Sequence, residues 1–285
     1  MSVVIVGATG HLGRLVVEEL LERGTPAGEV VATGRDADRL AALAERGVRT
    51  ARADLDDPAT LPSALAGADT LLLISTSEPG RRLPQHRAAV EAAAAAGIGH
   101  IVYTSAPRAD DTTLVLAPDH KATEELLAAS GIAHTVLRNN WYNENYESQL
   151  YAARDHGAFV GGAGQGRVPS ASRRDFAAAA AVVLADPAAH AGAVYELTGD
   201  TAWTYPELAA TLSAVLGTEV VYKDLSTAEH IAALVEAGLD EGTASFVAAL
   251  DANIRDGVLG EPTGDLRRLT GRPSTPIADT LRDLA

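Results

Sequence analysis

Short runs of aliphatic and β-branched residues alternate with alanine- and leucine-rich stretches through the first half of the chain. The runs are Val3–Val6, Val30–Thr33, Val48–Ala51, Thr70–Ser75, His100–Thr104 and His134–Leu137. Between them lie amphipathic stretches, Leu12–Glu22, Ala37–Arg46, Leu61–Leu65, Gln85–Ala96 and Lys121–Ala129. Strands that are apolar on both faces and separated by helices predict a parallel, doubly wound sheet, an α/β fold of the Rossmann type.

After about Asn140 the rhythm changes. Gly161–Gly166 is rich in turn residues and fits neither helix nor central strand. Capping-box spacing then announces three helices, at Ser172–Asp175, Thr204–Glu207 and Ser226–Glu229. Short strands are predicted at Ala193–Leu197 and Glu219–Lys223. The pattern divides the chain into a sheet domain over 1–140 and a smaller, mostly helical C-terminal lobe over 141–285, interleaved with it.

Composition narrows the chemistry. The 285 residues are 47% hydrophobic and include no cysteine, which excludes disulfides, thiolate metal sites and cysteine nucleophiles. A formal charge of −15, without a basic stripe, speaks against nucleic acid as a partner. No segment has the ~18 apolar residues of a membrane span, and Ser2–Val6 meets Gly7 too soon for a signal peptide. A soluble, cytoplasmic protein is expected, acting on a small molecule as a monomer or homodimer.

The strongest signal is Gly7-Ala8-Thr9-Gly10-His11-Leu12-Gly13, directly after one predicted strand and before a helix. Gly7 permits the tight turn, Gly10 lets the backbone approach a pyrophosphate, and Gly13 lets the helix pack on the strand. The freed amides at the helix N-terminus then face phosphate. The second strand ends in Thr33-Gly34-Arg35 rather than in the acid that binds ribose hydroxyls in NAD-specific sites. Gly34 leaves room beside the ribose, and Arg35 can pair with a 2′-phosphate. Asp36 suits the N-cap of the next helix. The predicted cofactor is NADP(H).

These residues, taken in order, resemble the NmrA-like branch of the atypical short-chain dehydrogenases. Within that branch the likeness is greatest to the NADPH-dependent quinone oxidoreductase type 2 and triphenylmethane reductase group. Besides the glycine loop, it is carried by Leu71–Ser75, Pro84-Gln85-His86-Arg87, Ile101–Ser105 and His120–Glu124. The more diagnostic segments are Leu137-Arg138-Asn139-Asn140-Trp141-Tyr142 and Gly199-Asp200-Thr201-Ala202-Trp203-Thr204. The resemblance implies phosphates on Gly7–Gly13, the 2′-phosphate at Arg35 and the adenine near Asp54. It implies Ile74, Ser75 and Thr76 beside the ribose and nicotinamide. Thr104, Ser105, Lys121, Asn139, Asn140, Trp141 and Tyr142 would then surround the nicotinamide and substrate.

The catalytic tyrosine of ordinary short-chain dehydrogenases stands four residues before a lysine. Here that position is Ala117, ahead of Lys121. Without a phenol, simple ketones and alcohols lose their general acid. A quinone fares better, because hydride delivery gives a resonance-stabilised hydroquinone anion that water can protonate, and orientation over the nicotinamide suffices. Trp141, Tyr142 and Tyr103 are candidate stacking surfaces for such a flat acceptor. Lys121, Asn140 and Tyr142 are the candidate catalytic residues. His86 is placed on its helix surface or against the cofactor lobe, and neither His86 nor His120 has the company a metal site needs. Two functions follow: a flavin-independent NADPH:quinone reductase, or an NADP(H)-binding redox sensor that acts through a protein partner. A sugar-nucleotide epimerase would need the missing tyrosine. The whole-length likeness favours the reductase.

Overall fold

The computed structural model describes residues 1–76, 78 and 80–285. Val3–Val6 (β1) leads through the glycine loop into His11–Glu22 (α1), then Val30–Gly34 (β2), Ala37–Ala44 (α2) and Arg49–Arg52 (β3). Leu61–Leu65 (α3), Thr70–Leu73 (β4), Arg82–Ala96 (α4) and His100–Ser105 (β5) continue the alternation. Ala117–Ala129 (α5) and Ala133–Asn139 (β6) follow. Beyond them come Glu147–His156 (α6), Ala158–Gly161 (β7), Arg173–Ala185 (α7), Val194–Leu197 (β8) and Tyr205–Leu216 (α8). The chain closes with Val221–Asp224 (β9), Thr227–Glu236 (α9), Glu241–Arg255 (α10), Asp265–Thr270 (α11) and Ile277–Leu284 (α12).

Seven strands form one sheet in the order β3-β2-β1-β4-β5-β6-β8, with every pairing from β3 to β6 parallel. The order reverses between β1 and β4, and ligands of such sheets bind outside the carboxyl ends of the strands at that point. The expected α/β fold is the one found. Val4, Val6, Leu71, Leu73, Ile101 and Tyr103 line one face of the sheet and pack against Ala89, Val90 and Ala93 of α4 and Leu127 of α5. Elsewhere in the same unit α1 packs on α7, where Arg174 reaches Glu19 and Glu22 at 3.0 and 2.7 Å.

The chain divides into two compact units. The first holds Met1–Asp110, Pro118–Asn139 and Arg173–Glu196; the second holds the rest. Residues 173–196 therefore group with the sheet. In the second unit β7 and β9 pair in parallel, and the predicted capping boxes at Thr204–Glu207 and Ser226–Glu229 start α8 and α9. Tyr146, Trp203 and Tyr205 form a buried aromatic cluster, with ring centroids 4.7 and 5.9 Å from Tyr146. Trp203 Nε1 donates to Ser170 Oγ at 2.9 Å, and Ser170 Oγ donates to Asn143 Oδ1 at 2.6 Å. Among the described residues, no helix is long and apolar enough to cross a membrane.

Candidate functional site

Gly7 has φ +92°, a conformation only glycine adopts without strain. Its carbonyl accepts from Gly10 N at 3.0 Å, which closes the turn. A Cβ on Gly13 would lie 2.6 Å from Ala8 Cα and 2.8 Å from Gly7 C, so only hydrogen fits between loop and helix. Gly10 is extended at the N-cap of α1, offers no side-chain cap, and no acid stands in the first turn. The first amides of α1 and its positive dipole end are thus left for an external anion. The cradle fits a dinucleotide diphosphate at Gly7, Ala8, Thr9, Gly10, His11, Leu12 and Gly13.

The end of β2 differs from the expectation. A Cβ on Gly34 would meet Thr9 Cγ2 at 2.5 Å and Thr9 Cβ at 3.0 Å. Gly34 therefore makes room for the Thr9 side chain of the glycine loop. Arg35 is 62% exposed and approaches Asp56 at 3.7 Å. Asp36 caps α2 by accepting from Arg39 N at 3.0 Å. Arg39 reaches back: Nη1 donates to Thr9 O at 3.2 Å. A cleft of about 370 Å³ opens here, its lining including Val17, Ala42 and Leu43 with Arg14, Arg39 and Arg46. Arg39 was missed in the sequence, although its place one helical turn after the acidic cap sets it beside the loop.

Asp54 is occupied locally: Oδ1 accepts from Asp56 N at 3.1 Å, and its amide donates to Thr60 Oγ1 at 2.9 Å. Past β4, Ile74 N donates to Val6 O at 3.2 Å and Ser75 N to Thr104 Oγ1 at 2.9 Å. Ser105 Oγ donates to Glu124 Oε1 at 2.6 Å. Lys121 is exposed on α5, and Asn139 ends β6 in a buried position. Arg138 is a hub: Nη2 meets Glu124 at 2.6 Å, and Nη1 meets Asp110 at 2.7 Å and Glu196 at 2.9 Å. Burial opposes its charge, but the bonds to Glu124, Asp110 and Glu196 outweigh it and raise its pKa.

Three sequence expectations change. Tyr103 is fully buried, its hydroxyl hydrogen-bonded with His120 Nδ1 at 2.8 Å, and burial pushes its phenol up. It is a core residue and offers no face to a substrate. Asn140 is 4% exposed and spends its carboxamide on the scaffold, donating to Leu259 O at 2.9 Å and accepting from Trp141 N at 2.8 Å. It holds residues 140 and 259 together within the second unit. Trp141 and Tyr142 remain half-buried. His86, expected on the helix surface or packed against the cofactor lobe, is fully buried, which removes the surface alternative.

Burial, with Arg82 adding to it, holds both His86 and His120 down at about 3, below the ordinary 6.5. The unfolded chain then takes up protons first, so their contribution is complete above pH 6.5 and is lost as pH falls toward 3. The ion-paired carboxylates Glu22 and Asp110 lose theirs only below the ordinary carboxylate values of 4.5 and 3.8. Urea unfolding should therefore show stability declining between pH 6.5 and 5, by up to about 1.4 kcal/mol per pH unit for each histidine. A flat profile over that range would place the two rings in water.

A phosphate-ready loop at the switch point of a doubly wound sheet defines a dinucleotide-binding protein of the Rossmann class. The chain belongs to the NAD(P)H-binding family, whose sequence profile matches residues 7–187. It is similar to quinone oxidoreductase 2 of Escherichia coli (strain K12), 46% identical over 282 residues, 99% of this chain and 98% of that one. The crystal structure of NADPH-dependent quinone oxidoreductase QOR2 from E. coli, complexed with NADPH, superposes with a TM-score of 0.95 over 99% of both chains. Triphenylmethane reductase of Citrobacter sp., complexed with NADP(H), is 36% identical, with a TM-score of 0.94 over 100% of both chains. The resemblance to the quinone oxidoreductase and triphenylmethane reductase group is borne out.

Proposed function

We propose that this chain is a cytoplasmic NADPH-dependent reductase that passes hydride directly to a quinone or a similar electrophilic organic acceptor. The observation that carries the reading is the glycine cradle, built for a diphosphate, in a chain whose general-acid position holds Ala117. The 46% identity to quinone oxidoreductase 2 over nearly the whole chain supports it. NADPH supplies the hydride when bound; the quinone takes it with one proton from water, giving hydroquinone and NADP+ without a flavin.

The chain's own residues bind and orient. Gly7–Gly13 hold the diphosphate through backbone amides. Arg35 and Arg39 take the 2′-phosphate, and Asp54 borders the adenine. Ile74, Ser75, Thr76, Thr104, Ser105 and Asn139 line the ribose and nicotinamide end, with Lys121 as a cation beside it. Trp141 and Tyr142 offer aromatic faces to a flat acceptor.

Arg35→Asp should shift preference from NADPH toward NADH by about 2–3 kcal/mol, since it deletes one phosphate partner and adds a repelling charge. Titration of both cofactors against the variant checks this; an unchanged affinity ratio would make Arg35 a bystander. The activity itself is tested by following NADPH oxidation with a panel of quinones. Tight NADPH binding with no turnover would favour the alternative, a redox-sensing protein that binds NADP(H) without catalysis.

A further inference from the structure

Residues 74–76 leave the sheet beside the switch point, and three different elements fix their amides. Ile74 N is held by β1 and Ser75 N by the Thr104 hydroxyl on β5. Thr76 is held from α4 on both sides of its backbone. Its N–H donates to His86 Nε2 at 3.3 Å, and its carbonyl accepts from Arg82 Nε at 2.8 Å.

The tautomer of His86 follows from its neighbours. Thr123 Oγ1 lies 2.9 Å from His86 Nδ1 and gives its own proton to Asp119 O at 2.9 Å. Nδ1 must therefore carry the ring proton and donate to Thr123, which leaves Nε2 a bare acceptor for the Thr76 amide. Arg82 is equally buried and leans toward Asp119, with Nη1 3.6 Å from Oδ2. Asp119 Oδ2 in turn accepts from Gly80 N at 3.0 Å. His86 Nε2 and Arg82 Nε thus hold the two peptide units that flank the Thr76 Cα. Thr76 Oγ1 is buried and, among the described residues, has no hydrogen-bond partner. Burying a hydroxyl unpaired is costly, so a partner from a ligand is what such a group lacks.

We infer that His86 and Arg82 are positioning residues that lock the backbone on both sides of Thr76, so that its unpartnered hydroxyl meets the nicotinamide half of the cofactor. This rests on the reductase reading, which puts residues 74–76 at that end. A packed apolar stripe would fill the same space on α4; a neutral imidazole and a guanidinium aimed at one residue fix an orientation instead. The adenine half, held by Gly7–Gly13 and Arg35, is independent of them.

The test compares His86→Leu, which removes both bonds, with His86→Gln, whose Oε1 can replace the Nε2 acceptor. His86→Leu should lower kcat with NADPH roughly tenfold to a hundredfold, as small misplacements of a reacting group do. It should also change the fluorescence of bound NADPH, while the affinity for 2′,5′-ADP, which lacks the nicotinamide, stays within about twofold of the parent protein. His86→Gln should recover most of the kcat. If His86→Leu does not fold, Arg82→Met is read in the same three assays. Parallel loss of 2′,5′-ADP and NADPH binding would overturn the inference, as would His86→Gln no better than His86→Leu, or an unchanged kcat in folded variant. Should the parent protein bind NADPH without turnover, the reductase reading fails, and bound-NADPH fluorescence against 2′,5′-ADP affinity still decides the role of His86.

Discussion

Gly10→Val should fold and lose NADPH, whereas Gly13→Ala should lose the fold. The two glycines sit three residues apart in one loop, and their surroundings demand different things. A Cβ on Gly10 approaches only Gly7 O, at 3.3 Å, and its backbone is extended at φ −81°, ψ 172°. Valine is tolerated there after a shift of a few tenths of an ångström, but its methyls stand where a diphosphate must come. Losing about two charge-assisted hydrogen bonds should weaken NADPH at least ~100-fold. At Gly13 the obstructions are the backbone of Gly7 and Ala8, which cannot swing aside as a side chain could. The cost should reach at least about 3 kcal/mol, the upper end for overpacking. Circular dichroism melts and NADPH titration on both variants separate the effects. A Gly10→Val protein with full NADPH affinity would remove the loop from the cofactor site, and a Gly13→Ala protein of ordinary stability would contradict the packing.

Arg138→Met should be among the most destabilising single changes in the first unit. The guanidinium is 7% exposed and gathers Glu124, Glu196 and Asp110 around one cation. Glu196 also accepts from Arg108 N at 3.1 Å, where the chain takes the left-handed φ of 49°. Methionine keeps much of the volume but takes the Arg138 cation away from the partly buried Glu124 and Glu196. Breaking a buried pair by removing one partner costs roughly 3–5 kcal/mol. Arg138→Lys should recover part of it, because the charge returns without the two-pronged geometry. Urea unfolding of the three proteins reads the difference. A loss under about 1 kcal/mol for Arg138→Met would show the network to be a solvated surface cluster.

The periodicity of the first half carried the sheet: β1 was read to the residue, and β2 to β6 to within one or two. The alternation of strand and helix, with the glycine loop at the first turn, leaves little freedom in such a sheet. The later chain was harder because its elements are short or pack in ways a linear pattern does not encode. β7 is four residues with Val160 exposed, and α11 and α12 start without a side-chain cap. α7 follows the turn-rich segment, so sequence order placed it with the lobe, yet it packs against α1. Tyr103 could not be sided by parity, since every position of β5 is buried. His86 was legible in principle. Arg82, His86, Ala89, Val90 and Ala93 form one buried stripe at helical spacing, and two ionisable residues within such a stripe imply partners. Gly34 and Thr9 lie 25 positions apart, and only the folded loop shows why one must be glycine for the other to fit.

Hydride transfer without a flavin is the centre of the account, and one measurement addresses it directly. Flavin-free protein is mixed with a quinone and NADPH carrying deuterium at the transferable position, and the near-ultraviolet absorbance of the reduced nicotinamide is followed in a single turnover. The account predicts that NADPH disappears in step with hydroquinone formation, one for one, and more slowly than with unlabelled NADPH. NADPH that binds tightly and persists in the presence of every quinone offered would contradict it.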